Sequence, residues 1–402
     1  MGSSLTRFTL LGSTGSVGTQ TLDVARSMPD RFKLLGLAAG RNLDLLAEQA
    51  QEFRPRYIWS SLASDATPEG SSKVAAIAAS VGASVMPMDE MAQDPDLDVL
   101  AVGTAGRAGL EPTLVALDRG VDVALANKEV AVMAGHLLRA AADRGHAQLR
   151  PVDSEHSAIW QCLWGEEANE IRRIILTASG GALRDLLETD LANVTPAQAL
   201  NHPTWNMGQK ITIDSASLMN KGMETIEARW LFDVPYERVE VLQHPESIVH
   251  SLVEMSDGSV KAQLGNPDMR LPIQCALAYP ARLSPTVEPL DLAKLGSLHF
   301  QTPDFDRYPC LQLAMQAGKA AGTYPTVMAA ADEIAVDAFL HERIGFTEIP
   351  GLIESAMSAH DSVEDPSLEA IDAADAWSRH RVTAALKSAP RKSAPLKRET
   401  PA

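Results

Sequence analysis

The stretch Arg7-Phe8-Thr9-Leu10-Leu11-Gly12-Ser13-Thr14-Gly15-Ser16-Val17-Gly18 decides how the first third of the chain folds. Residues 7–12 read as a short buried strand ending in the first glycine. Thr19 to Arg26 then carries Leu22, Val24 and Ala25 at spacings suited to a helix packed on a sheet. Gly12, Gly15 and Gly18 stand three apart, unlike the commoner GxGxxG, but the physics is shared. Glycines allow a tight turn and close backbone approach to a pyrophosphate at a helix N-terminus. Ser13, Thr14 and Ser16 add hydroxyl donors beside Val17. Between a strand and an apolar helix, this triplet predicts a dinucleotide site.

Working outward, the apolar run Leu34 to Ala39 ends at Gly40-Arg41-Asn42 and leads into a helical Leu43–Phe53. Tyr57–Ser60, Ala83–Met86, Val99–Val102 and Val121–Ala124 read as further short strands, with helices such as Lys73–Val81 and Pro112–Arg119 between them. Strands alternating with helices predict an α/β domain: a Rossmann-like, doubly wound parallel sheet over residues 1–150. A second strand selecting NAD ends in an acid that holds the ribose 2′-hydroxyl. Here no acid follows Ala39, and Arg41 suits the 2′-phosphate of NADP, the plainer reading being a solvated loop arginine. Ala126-Asn127-Lys128-Glu129 falls at the C-terminal edge of the sheet, where Lys128 could reach a ligand oxygen and Glu129 could orient it. On spacing alone it hardly differs from a surface charge pair.

Residues 151–279 read as a central α+β catalytic domain, with strands at Ile171–Leu176, Val239–Leu242, Ile248–Met255 and Val260–Leu264 and a hairpin at Ser256-Asp257-Gly258-Ser259. In Asp153-Ser154-Glu155 the two acids are two apart, so an extended segment would point them the same way. In a helix from Leu218, residues 220, 221 and 224 share a face, letting Glu224 complete an oxygen site for Mg²⁺ or Mn²⁺ while Asn220 and Lys221 meet a substrate. Glu227 competes with Glu224, and a solvated acidic face paired with Lys221 is the bland alternative. Thr177-Ala178-Ser179-Gly180-Gly181 is a small-residue turn able to present N–H groups to an anion. Ser215 and Ser217, just ahead of the Leu218 helix, offer hydroxyls at another positive helix end. A loop over about residues 190–208, holding His202, Trp205 and Gly208, reads as a lid or as an ordinary surface loop. Residues 280–309 read as a linker, 310–386 as a small helical C-terminal domain, and 387–402 as a disordered tail.

The whole chain has 402 residues and a net charge of −17, which opposes binding to nucleic acid or anionic lipid through its surface at large. Cys162, Cys275 and Cys310 are widely spaced, so no disulfide framework or thiolate zinc site is expected, and a reducing cytoplasm fits best. No apolar window reaches the roughly 18 residues of a membrane span.

In this order and spacing, several motifs together resemble the 1-deoxy-D-xylulose 5-phosphate reductoisomerase family of non-mevalonate isoprenoid synthesis. They are Gly12–Gly18, Ala126–Glu129, Asp153-Ser154-Glu155-His156, Thr177–Gly181, His202–Gly208, Ser215 to Glu224, and Gly265-Asn266-Pro267-Asp268-Met269-Arg270. The resemblance implies metal ligands Asp153, Glu155 and Glu224 for Mg²⁺, Mn²⁺ or Co²⁺, with Lys128 beside them as a catalytic group. It implies a phosphorylated sugar held by Ser154, Glu155, Ser179, His202, Trp205, Ser215, Asn220, Lys221 and Glu224. It assigns Gly12, Ser13, Thr14, Gly15, Ser16, Val17, Gly40, Arg41, Asn42, Asn127, Glu129 and Gly208 to NADPH. A cytoplasmic homodimer is implied as well. The reaction would be rearrangement of the substrate skeleton by retro-aldol cleavage and re-addition, then hydride reduction to 2-C-methyl-D-erythritol 4-phosphate. Two departures stand out: Ala182-Leu183 where the family usually has Pro-Phe, and Ala331-Asp332-Glu333 for the common Ala-Asn-Glu. Rival readings are a semialdehyde or homoserine dehydrogenase, and a non-catalytic NADP-sensing module. A semialdehyde enzyme needs a cysteine nucleophile, and none of the three sits in a fitting turn.

Overall fold

The structure, a computed structural model, describes residues 5–64, 68–166 and 170–388. Their fold divides into two compact units. The first takes the described residues up to 179 together with 204–208 and 223–303; the second takes 180–203, 209–222 and those from 304 onward.

The first unit opens with β1 (Thr6–Leu11), α1 (Ser16–Ser27), β2 (Phe32–Ala39), α2 (Leu43–Phe53), β3 (Tyr57–Ser60), α3 (Pro68–Val81), β4 (Ser84–Val85) and β5 (Val99–Val102). It continues through α4 (Leu110–Asp118), β6 (Asp122–Leu125), α5 (Lys128–Gly145), β7 (Leu149–Pro151) and α6 (Ser154–Cys162). The strands pair in parallel in the order β4-β3-β2-β1-β5-β6-β7, so chain order reverses beside β1. Leu10 there pairs with Leu37 on one side and Ala101 on the other. Phe8, Leu10, Leu37, Ile58 and Val99 form the sheet's share of the core, and Leu22, Val24 and Leu46 pack on it from α1 and α2. β7 was not expected, because Leu149-Arg150-Pro151 has no apolar run to announce it.

A second sheet holds β8 (Ile171–Ala178), β9 (Val239–Gln243), β10 (Val249–Met255) and β11 (Val260–Leu264) in the order β11-β10-β8-β9. β8 and β9 run parallel; the other pairs are antiparallel. The hairpin turn forms as expected, with Gly258 at φ +88° and the Ser259 N–H donating to Asp257 Oδ1 at 2.8 Å.

Between β8 and β9 lie α7 (Gln209–Ser217) and α8 (Met219–Phe232). The expected helix from Leu218 is corrected here. Leu218 sits in the left-handed region at φ +57° and separates two helices, so Ser215 and Ser217 end α7 while standing just ahead of α8, which starts one residue later than expected, at Met219. A run of apolar and small residues hides such a break, which only the backbone reveals. Later helices are α9 (Arg270–Ala278), α10 (Pro309–Ala320), α11 (Tyr324–Leu340), α12 (Ile349–Ser358) and α13 (Leu368–Ser388). α9 returns Ile273, Ala276 and Leu277 to the core of the first sheet. Lys387 and Ser388, expected in the tail, finish α13, and residues 389–402 lie outside those described.

α5 and α8 meet where Gly135 faces Trp230. A Cβ on Gly135 would stand 2.1 Å from Trp230 Cδ1, so only glycine permits this approach. Both helices advance in the same direction from there, since Lys128 meets Glu224 and Arg139 Nη1 donates to the Trp230 carbonyl at 3.3 Å.

Candidate active site

The glycine turn follows β1 directly. Gly12 has φ +88°, and a Cβ there would lie 2.3 Å from the Gly103 carbonyl oxygen, so both its dihedral and its neighbours require glycine. The Gly12 and Ser13 N–H groups donate to the Ala38 carbonyl at 2.8 and 2.9 Å, tying the turn to β2. Gly15 is the N-cap of α1 with no side-chain cap, and Gly15 and Ser16 are exposed, which suits an anion at this helix end. Arg41 is exposed after β2, while Asn42 spends its Oδ1 on the Leu45 N–H as the cap of α2. Gln49, which sequence reasoning missed, is buried in α2 and donates from Nε2 to the Ser13 carbonyl at 2.9 Å. Nothing in a mid-helix glutamine announces such a contact.

Asn127 is buried and caps α5, accepting the Val130 N–H at 3.2 Å; its Nδ2 donates to Thr104 Oγ1 and the Gly106 carbonyl. That cap makes Lys128 the first residue of the helix and turns it inward. Its Nζ lies 2.8 Å from Asp153 Oδ2 and 3.0 Å from Glu224 Oε1, and the side chain is 5% exposed. Burial alone would lower the Lys128 pKa, but Asp153, Glu224 and Glu227 outweigh it and hold the value well above an ordinary lysine. Lys128 is therefore an ammonium at any working pH.

Asp153 and Glu155 come together for a reason other than the one expected. Asp153 is the N-cap of α6, with Oδ1 accepting the Glu155 N–H at 3.1 Å, so helix entry and not strand alternation sets their geometry. Asp followed by a helix-forming run is a cap signal that an extended reading overlooks. Ser154 Oγ donates to Glu155 Oε2 at 2.8 Å. Asp153, Glu155 and Glu224 each offer an oxygen, all within 4.8 Å of one another. Glu227, the rival of Glu224, groups with Asp153 and His156 instead. His156 donates from Nε2 to the Glu224 carbonyl at 3.0 Å, and its Nδ1 lies 3.2 Å from both Asp153 Oδ1 and Glu227 Oε2. Burial opposes its charge, but Glu227 and Asp153 raise its pKa to about 9. Three converging hard oxygens without soft donors fit Mg²⁺ or Mn²⁺ by chemistry and by charge.

Trp205, inside the expected lid, lies with the first unit, its ring 6.1 Å from that of His250. Ser154 opens on a small cavity shared with His250, Gln263 and Asp268. In the second unit, Ser215 is buried at the end of α7, and Asn220 and buried Lys221 occupy the first turn of α8. His202 is kept neutral: burial and the Arg184 charge lower its pKa to about 4. Burial raises the thiols of Cys162 and Cys275 to about 11 and holds that of Cys310 well above an ordinary thiol, which leaves no reactive thiolate for the semialdehyde reading.

The 1-deoxy-D-xylulose 5-phosphate reductoisomerase family model matches residues 8–135, its C-terminal domain matches 149–232, and a DXP reductoisomerase C-terminal domain matches 264–381. The chain belongs to this family. A 1-deoxy-D-xylulose 5-phosphate reductoisomerase of Pelotomaculum thermopropionicum is 50% identical over 92% of this chain and 96% of its own. One from a Geobacillus species is also 50% identical, over 94% and 99%. A solved DOX-P reductoisomerase in complex with NADPH, fosmidomycin and magnesium superposes with a TM-score of 0.89 at 38% identity, covering 95% of this chain and 98% of that one. The Zymomonas mobilis enzyme in complex with NADPH gives 0.87 at 40% identity, over 96% and 100%.

Proposed function

We propose that the chain converts 1-deoxy-D-xylulose 5-phosphate to 2-C-methyl-D-erythritol 4-phosphate, using NADPH and Mg²⁺, Mn²⁺ or Co²⁺. The observation that carries this reading is the convergence of Asp153, Glu155 and Glu224 around Lys128, on the same unit as the glycine turn. Asp153, Glu155 and Glu224 would hold the metal. When bound, the divalent ion supplies Lewis acidity at the substrate's ketone and hydroxyl, and NADPH supplies the hydride.

The chain's own groups do the rest. Lys128, fixed as an ammonium, donates to a substrate oxygen where negative charge develops. His156 holds the Glu224 backbone while Ser154 orients the Glu155 carboxylate. Gly12 to Val17 face the pyrophosphate, Arg41 takes the 2′-phosphate, and Asn127, Glu129 and Gly208 line the nicotinamide end. Ser179, Ser215, Asn220, Lys221 and neutral His202 hold the substrate's phosphate, whose binding energy draws Trp205 over the reacting carbons. A cytoplasmic homodimer completes the proposal; light scattering at about twice the 43.1 kDa chain mass tests the dimer.

The decisive experiment follows NADPH oxidation by 1-deoxy-D-xylulose 5-phosphate with Mn²⁺, after chelation, and in Glu224→Gln. Metal-dependent turnover that collapses in the variant is expected. Turnover indifferent to chelator would overturn the carboxylate metal site, and no oxidation under any condition would overturn the reaction.

A further inference from the structure

A second buried charge cluster lies in the second unit. Lys210, in the first turn of α7, places Nζ 2.6 Å from Asp214 Oδ2 on the next turn and 2.8 Å from Asp332 Oδ2 on α11. The two aspartate side chains are only 3% and 0% exposed. Burying a carboxylate costs free energy, and Asp214 alone would neutralise the lysine. Charge balance therefore does not account for Asp332. What Asp332 adds is a partner on another helix, since Asp214 shares α7 with Lys210.

We propose that Asp332 is a positioning residue that acts through Lys210 to fix α7, and with it the Ser215 hydroxyl, for the substrate's phosphate; this rests on the assignment of Ser215 above. Residues 210, 214 and 217 stand at i, i+4 and i+7 and share one face of α7, which packs on α11. At the far end Ser217 Oγ accepts the Met219 N–H at 3.3 Å, ending one helix and starting the next. Gly181 abuts the same end: a Cβ there would meet the Ser215 carbonyl oxygen at 2.6 Å and Ala216 Cα at 2.5 Å. α7 is thus held at its last turn by the Gly180-Gly181 turn and at its first by the ion pair to α11. Loss of Asp332 lets α7 roll about its own axis, which turns the Ser215 side chain even while its backbone stays against Gly181. Because Lys210 keeps Asp214, removing Asp332 leaves a neutral pair and a chain able to fold. Lys210→Met would strand two buried carboxylates and is the wrong probe.

The test is a double-mutant cycle in the full chain. It reads KM for 1-deoxy-D-xylulose 5-phosphate, KM for NADPH and kcat in Ser215→Ala, Asp332→Ala and the pair. Asp332→Ala is expected to raise the sugar-phosphate KM about tenfold, leave the NADPH KM within about twofold, and add nothing on top of Ser215→Ala. Asp332→Asn keeps an oxygen acceptor for Lys210 and should raise the same KM only about threefold. If Asp332→Ala does not fold, Asp332→Asn carries the cycle, and an unchanged sugar-phosphate KM there overturns the proposal. Additive losses overturn it too, as does an equal rise in both KM values, which marks general loosening. Ser215→Ala with an unchanged sugar-phosphate KM would instead overturn the substrate assignment, and the role of Asp332 with it.

Discussion

In each unit a lysine ammonium lies among buried carboxylates, and the two clusters differ in how many acids surround it. Around Lys128 stand Asp153, Glu155, Glu224 and Glu227, with His156 the other cation; burial raises the Glu227 pKa to about 7, and the acids still outnumber the cations. Around Lys210 stand Asp214 and Asp332, one from each of two helices. The arrangement differs as well. Three oxygens of the first cluster converge to within 4.8 Å, whereas the aspartates of the second approach their lysine from two helices. Converging oxygens suit the proposed further cation, and flanking ones suit the proposed brace. Burial and ion pairing, which both clusters share, say nothing about which is catalytic.

The sharpest way to break this comparison is to weaken the surplus. Glu224→Gln should cut kcat roughly a thousandfold, the loss of several kcal/mol of metal-supplied stabilisation. It should also abolish the rise in Tm that Mn²⁺ gives the parent, read by calorimetry. Next come the lysines. Lys128→Met and Lys210→Met should each cost about 3–5 kcal/mol of stability without metal, because each leaves buried carboxylates uncompensated. Saturating Mn²⁺ should return about 3 kcal/mol to Lys128→Met alone. Equal rescue of both in urea unfolding would erase the distinction drawn here. A smaller effect belongs to the cofactor end. Gln49→Leu removes the donor to the Ser13 carbonyl and should raise the NADPH KM by about fivefold, from roughly 1 kcal/mol of lost hydrogen bonding. The KM for the sugar phosphate should not move; if it does, the turn and the carboxylates are coupled.

The smallest effect is one of pH. The His202 pKa in the folded chain, about 4, lies below the unfolded 6.5, so the unfolded chain takes the proton first. No penalty exists above pH 6.5; it grows as pH falls toward 4 and is constant below. His202→Gln should flatten the stability curve in that window and leave it unchanged above pH 7. An unaltered acid limb would mean that His202 is not held neutral.

The α/β alternation in the first unit was legible because each buried strand is a short apolar run closed by Gly, Asn or a helix signal. β7 was not, since a three-residue edge strand containing Arg150 and Pro151 carries no hydrophobic pattern. The acids of the metal cluster were legible by type and spacing, yet Asp153 reaches its place as a helix cap. Periodicity could not choose between Glu224 and Glu227, one turn apart; in the structure Glu224 stands with Asp153 and Glu155, and Glu227 with Asp153 and His156. Lys128 read as a lysine near an oxygen, without hint that its oxygens come from two remote acids. Asp332 was visible only as a departure, because its partner Lys210 lies far away along the chain.

The contact of Gly135 with Trp230 has a mechanical consequence. It lies just past a kink at Ala134, roughly 10 Å along the helix from Lys128, and about as far from Glu224 along the neighbouring helix. That makes it a fulcrum with the carboxylate cluster at the end of the lever. Even one methyl group at 135 would prise the helices apart there, and the gap would be delivered to the pairing of Lys128 with Glu224. The residues tolerated at position 135 are thus dictated twice, by the room beside the indole and, from a distance, by the tolerance of the ion site.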